Sequence, residues 1–389
     1  MQVLPITSDA GILATLTGVC ALFFWLEKAT RWRLFNYVPP LVFIYLTPVI
    51  LSNSRVIPVQ SPVYDKISKL VLPVMLMLML LNVDVLAATR TLGRGVVVMV
   101  AGSAGVVLGA AAGAWLTAGW LGPSAWKAYG ALSGSWVGGT GNMLAVAEMF
   151  DAGDQRALAV LADTSLLLVW LPLLLTSKRF AESFARFAKA DPQRLARLEA
   201  AHRQVESEAA PSYRDYLYLL CVALAATAAC DALAPMIPEI PNFATASTWR
   251  ILLITTCGVV LSFTPLRRIP GSRQLGMALI FLFMAQTGAT ADLSGLADQA
   301  APFLLGAAAC LAIHGAFCLA AARLLHIDIH TAAIASAANV GGVATATVVA
   351  EHHRPSLTPA AILMALLGYA LGNYAGYFAG LLCRLAMSY

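Results

Sequence analysis

Apolar residues along this chain arrive in long runs separated by short polar or charged breaks. The runs fall at Gly11–Leu26, Val38–Leu51, Ile67–Val83, Gly95–Ala118, Lys127–Phe150 and Ala157–Thr176. After a polar stretch from Ser177 to Arg214 they resume at Asp215–Ala234, Thr248–Thr264, Gln274–Ala291, Ala300–Leu325, Thr331–Ala350 and Thr358–Arg384. Most approach the roughly 17–25 residues that a helix needs to cross a bilayer. In hydrocarbon no water satisfies the backbone, so each run is expected to be a helix. Val38–Leu51 is short and contains Pro48, which makes it the least regular of the set. Met1–Ala10 has no Lys or Arg, so the first run reads as a retained span and not as a cleaved leader.

Composition strengthens this pattern. Of 389 residues, 59% are hydrophobic and 12% charged, with mean hydropathy +0.76. A soluble domain carries about 25% charged residues, so too little polar surface exists here to coat a water-facing globule. The expected class is an all-α polytopic membrane protein. The net charge of +5 is spread through short loops and builds no basic face, so no nucleic-acid partner is expected. The seven cysteines lie in or beside apolar runs without a CxxC pair, and read as small buried apolar residues.

The chain repeats itself. Ser133–Glu148 aligns without gaps on Ser336–Glu351, with seven of sixteen positions identical, and both copies share Val-Gly-Gly. Asp84 and Asp292 follow apolar runs at similar places in the two halves. The expected organisation is a first membrane repeat over residues 1–176, a linker over 177–214 and a second repeat over 215–389. Eight basic residues place the linker in the cytoplasm by the positive-inside rule. Phe180, Phe184 and Phe187 fall at helical spacing there, which suits a surface-lying helix, although a solvated linker is the simpler reading and is taken here.

Orientation constrains the count. The first run is followed by Lys28, Arg31 and Arg33 and preceded by no basic residue, which puts the N-terminus outside. Six crossings per half would then carry the basic linker outside too. Lys127–Phe150, interrupted by three glycines within Val137–Asn142, is the segment best suited to enter and return as a hairpin. Thr331–Ala350, broken at Gly341-Gly342, is its partner from the opposite face. About ten crossings and two re-entrant or broken segments result, with the halves inverted.

Broken membrane helices are tolerated where they line a watered cavity, because exposed carbonyls and helix N-termini then find partners. The expected binding site is therefore Gly138, Gly139, Thr140 and Asn142 in the first break and Asn339, Gly341, Gly342 and Thr345 in the second. Their oxygens suit a hard cation such as sodium, while close helix packing is the alternative use of the glycines. Asp163, followed by Thr164, lies within an apolar run; a carboxylate there costs roughly 2.5–3.5 kcal/mol on insertion scales, and could hold sodium or carry a proton. Glu148 and Glu351 hold equivalent repeat positions suited to gating, and Gln286 and Asn373 are polar residues that could line a pathway. The Glu351–Arg354 stretch reads as a charged hairpin mouth and not as a metal set. No metal beyond a sodium site and no cofactor is expected.

The stretch Gly138–Asp154, leading into a helix with Thr164-Ser165, resembles the broken-helix region of the bile acid:sodium symporter family. That resemblance implies inverted repeats, an elevator-like core moving against a scaffold, a homodimer, and sodium held by the turn and by hydroxyls of the next helix. Here the turn to Asn142 is one residue shorter and Asp163 stands beside the hydroxyls, so proton coupling stays open. Over nearly its whole length the sequence is similar to the YjcL-like domain-of-unknown-function family of bacterial and plant membrane proteins, through Ser135–Asn142 and Ala338–Gly342. The expected function is cation-coupled transport, by sodium or proton, of a small organic, carboxylate-bearing solute in the inner, cytoplasmic membrane. Its partners would be lipid, the solute and a second copy. A channel is the alternative. An intramembrane enzyme is disfavoured: the chain has no HExxH pair, and Gly139–Asn142 carries Asn where an intramembrane aspartyl protease would carry Asp.

Overall fold

A computed structural model describes residues 6–30, 35, 40–81, 83, 93–190, 210–240, 244–291 and 297–388. Among them the first half supplies α1 (Asp9–Thr30), α2 (Pro40–Asn53), α3 (Pro62–Leu81), α4 (Arg94–Thr117), α5 (Ala125–Gly138), α6 (Thr140–Met149) and α7 (Gln155–Ser177). The polar stretch contains α8 (Ala181–Ala188). The second half supplies α9 (Tyr213–Leu233), α10 (Ala246–Ser262), α11 (Ser272–Ala289), α12 (Ala297–Leu325), α13 (Ile329–Asn339), α14 (Gly342–His353) and α15 (Thr358–Ala386). Each apolar run of the sequence is one helix or, at the two glycine breaks, a pair.

Among the described residues six helical stretches are long and apolar enough to cross a membrane: Asp9–Thr30, Arg94–Thr117, Gln155–Ala188, Tyr213–Met236, Asp298–Leu325 and Pro355–Ala386. Large apolar side chains such as Ile50, Leu108 and Val169 stand exposed, as lipid-facing residues do. Trp25, Trp115 and Trp120 are exposed at helix ends, where indoles sit at the headgroup level. This is a multi-pass, all-helical membrane protein.

Both broken segments fold back on themselves. Lys127 Nζ at the start of α5 donates to the Asp151 carbonyl just past α6 at 2.8 Å, and Trp126 packs on Phe150 with ring centroids 4.9 Å apart. In the second segment the Nδ1 atoms of His330, near the start of α13, and His353, at the end of α14, lie 3.1 Å apart. The reversals need glycine. Gly139 has φ +78°, and Gly341 and Gly342 have φ +107° and +65°, a region that side chains with a Cβ avoid.

Helix packing sorts the molecule into two bundles. α1, α2, α3, α9, α10 and α11 pack mainly on one another, and α4, α12, both hairpins, α7 and α15 do likewise. Each bundle draws counterparts from both halves. Thr255 and Thr256 of α10 meet Asn373 and Tyr374 of α15 across the seam, at 2.7 and 2.6 Å. Within the second bundle α4 and α12 run antiparallel: Gly113 abuts Gly306, Gly109 abuts Cys310 and Gly105 abuts His314. Because α5 follows α4 and α13 follows α12, the two hairpins enter this bundle from opposite ends.

The linker reading changes at its start. Residues 181–188 are helical, with Phe184 packed on buried apolar residues and the Arg323 guanidinium 5.5 Å above the Phe187 ring. Of the three phenylalanines only Phe184 finds cover, while Phe180 and Phe187 stay exposed. Residues 191–209, Asp84 and Asp292 lie outside the described residues. The cysteines are free, four of them buried, while Cys221 is exposed.

Candidate functional site

The two hairpin tips meet at a cavity of about 590 Å³ between the bundles. One wall comes from the tips, from Asp163 and Thr164 of α7 and from Tyr369 of α15. The facing wall is apolar, with Met75, Leu76 and Met79 of α3 and Met277 and Ile280 of α11. Glu27, Pro40, Leu175 and Arg273 border it at the ends of α1, α2, α7 and α11.

Of the residues singled out in the sequence, Gly138, Gly139, Thr140, Asn142, Asp163, Thr164, Gly341, Gly342 and Thr345 line this space together. Residues about 200 positions apart thus share one wall. The first turns of α6 and α14 open onto it, so their unpaired N–H groups and positive dipole ends face the cavity.

Asp163 is tied to the first hairpin. Its Oδ1 accepts from Trp136 Nε1 at 3.0 Å, and the Ser135 hydroxyl bonds the same carboxyl group. Asn142 donates from Nδ2 to the Tyr369 carbonyl at 2.9 Å. Its amide fills the space where a Cβ on Gly138 or Gly372 would stand, so those glycines exist to admit it. Thr345 likewise folds back over Gly341.

Five residues named from the sequence stand elsewhere. Asn339 is fully buried and turned toward α4: its Oδ1 accepts from Ser103 at 3.2 Å and its Nδ2 donates to the Met99 carbonyl at 2.8 Å. It fastens the second hairpin and does not face the cavity. Asn373 donates to Thr255 at the seam between bundles. Gln286 is buried in α11. Glu148 is half-buried near the base of the first hairpin, and Glu351 is exposed and accepts from Thr358 at 2.6 Å.

α7 also holds the second hairpin. Trp170 Nε1 donates to Ser336 at 3.0 Å, His353 Nε2 donates to the Leu174 carbonyl at 2.9 Å, and Lys178 donates to the His352 carbonyl at 2.6 Å. Ser336 is shared with His314, whose Nδ1 faces the Gly102 carbonyl at 2.9 Å. A carbonyl only accepts, so Nδ1 carries the hydrogen and Nε2 accepts from Ser336. His314 is therefore fully bonded as a neutral ring in this arrangement. No cluster of three or more His, Cys, Asp or Glu able to hold a metal occurs among the described residues.

Sequence reasoning missed Arg273, Tyr369, Ser135 and the Trp136 indole. Arg273 sits one residue before an apolar run and looked like a loop charge. Ser135 and Trp136 lie within the repeated segment, but only its glycines and the polar residues after them drew notice, and Tyr369 sits inside an apolar run where nothing local marks it.

The model of the family described as "Protein of unknown function (DUF819)" matches residues 14–385, nearly the whole chain. The chain belongs to the DUF819 family. Similar over the same reach is "Uncharacterized membrane protein YjcL" of Bacillus subtilis (strain 168), 28% identical over 377 residues, covering 92% of this chain and 93% of that protein. The membrane character of this DUF819 member thus agrees with a relative described as a membrane protein.

Proposed function

We propose that this chain is a secondary transporter that moves a small organic, carboxylate-bearing solute across the cytoplasmic membrane, coupled to sodium or protons. The observation that carries the reading is the convergence of two glycine-broken hairpin tips on one cavity between two bundles. Such breaks cost too much in a membrane unless they serve a watered or ligand-filled space. A cavity of this volume falls within the range that holds a small molecule, roughly 300–1,000 Å³.

Inverted repeats are part of the proposal. Antiparallel packing of the counterparts α4 and α12, and hairpins entering from opposite ends, are what inversion requires. Ten crossings then place the linker in the cytoplasm, together with the cavity mouth at Arg273 and Glu27. The grouping into two bundles supports an elevator-type movement of the hairpin bundle against a dimer-forming scaffold. The solute passes unchanged, and the helix N-termini with Arg273 at the mouth favour a carboxylate.

A thermal-shift screen of small organic acids tests this, run with sodium or potassium and at two pH values. A true ligand stabilises the folded protein by mass action, by about 2.7 kcal/mol at a hundred times its dissociation constant, and so raises the melting temperature. Failure of every acid to shift the melt, with ion conduction by reconstituted protein in place of saturable uptake, would move the assignment to a channel.

A further inference from the structure

Asp163 is the one carboxyl group inside the cavity wall among the described residues; Glu27 stands exposed at the mouth. Two donors on α5, the Trp136 indole and the Ser135 hydroxyl, hold it. Among the described residues no Lys, Arg or His forms an ion pair with it. An ionised, unpaired carboxylate in such a wall is costly, and it can be neutralised by a metal cation or by a proton.

The surroundings decide between these. A hard cation needs several oxygens turned toward it. The nearby side-chain oxygens are few: Asn142 gives its Nδ2 to Tyr369, Thr345 folds over Gly341 and Asn339 faces α4, which leaves the Thr140 and Thr164 hydroxyls on the wall, short of the roughly six oxygens of an octahedral hard-cation site. An indole N–H occupies one carboxyl oxygen, and its positive end repels a cation. A proton needs only one lone pair, and the Ser135 hydroxyl can turn from donor to acceptor to receive it.

The other titrating groups on elements packed against α7 stand apart. They are Lys127 and Tyr129 on α5 and Glu148 on α6. On α12 they are Asp298, Cys310, His314, Cys318 and Arg323, with His314 bonded to Gly102 and Ser336. On α13 and α14 they are His330, Glu351, His352 and His353, at the hairpin base beside the far end of α7, where Lys178 and Arg179 follow directly. Arg156 lies on the first turn of α7, Tyr369 lines the same wall as Asp163, and Arg273 borders the cavity at the start of α11.

Resting on the transporter reading, we propose that Asp163 is the coupling site and that the coupling ion is a proton. The proton comes from water at the cavity mouth, adds to Oδ2, and returns to water once the site faces the other side. Protonation also removes a negative charge from the space that an anionic solute must enter.

The test follows the Trp136 indole by ¹⁵N NMR of the full-length protein in lipid nanodiscs. Trp136→Phe assigns the signal among the eight tryptophans. The indole signal is expected to move through one titration with pH, identical in sodium and potassium, and to lose that titration in Asp163→Asn. Infrared difference spectra of the unsubstituted protein should show a protonated-carboxyl band over the same pH range, which covers failure of the variant to fold. A signal that ignores pH, or that moves when sodium replaces potassium at fixed pH, overturns the proposal. The readout needs no solute. Failure of the transporter reading would therefore appear separately, as an absence of any solute-dependent shift beside an intact titration.

Discussion

Asn142 and Asn339 look alike in the sequence, each next to a glycine break, and the structure gives them different work. Asn142 lines the cavity while its amide closes the hairpin tip onto Tyr369. Asn339 has both ends of its amide bonded to α4 and carries no free group toward a ligand. Replacing it by alanine leaves the Ser103 hydroxyl and the Met99 carbonyl without that partner. Asn339→Ala should lower stability by about 1–3 kcal/mol. Thr140→Ala, on the half-buried cavity wall, should stay within about 0.5 kcal/mol of the parent. Melting curves of both variants in one detergent check the contrast, and equal losses would remove the distinction between fastening and lining. The sequence could place both residues at a break, but amide direction depends on which helix lies alongside, and that is a tertiary fact.

At the scale of helices, nearly every boundary was legible, because a bilayer leaves a long apolar run one backbone solution. Whether a broken run crosses or returns was not legible in the run itself. Two half-helices of ten to fourteen residues fit either path, and only basic residues beyond the first span argued for a return. The α4–α12 contact was less visible still, since glycines in a membrane helix, five of them in α4, serve packing as often as bending. Their geometry now makes a prediction. A Cβ on Gly109 would stand 2.8 Å from the Cys310 carbonyl oxygen, whereas one on Gly18 of α1 meets nothing within 4 Å. Gly109→Ala should destabilise by about 1–3 kcal/mol. Gly18→Ala should be neutral or gain up to about 1 kcal/mol from helix propensity. Thermal melts of the pair decide it; a harmless Gly109→Ala would mean that the two helices can separate freely.

At the scale of the whole molecule, the cavity exists because two bundles meet there, and what holds them in this position is a polar seam. Thr255 and Thr256 bond Asn373 and Tyr374 across it. An elevator movement must break these bonds. Cysteines at Thr256 and Tyr374, in a chain whose seven native cysteines are replaced, should cross-link with a short thiol reagent. Uptake should then fall at least tenfold and return on reduction. Uptake that survives the cross-link would rule out sliding along this seam. Neither the seam nor the bundles were readable from the chain, since each bundle is assembled from segments of both halves. The glycine face of α4 against its counterpart α12 has a further meaning for ancestry. On the inverted-repeat reading, a half-length forebear carried one such face, and its ready partner was another copy of itself inserted upside down. Dual insertion would have preceded gene duplication in that lineage. The basic residues between today's halves would then be the later device that fixed one orientation for good.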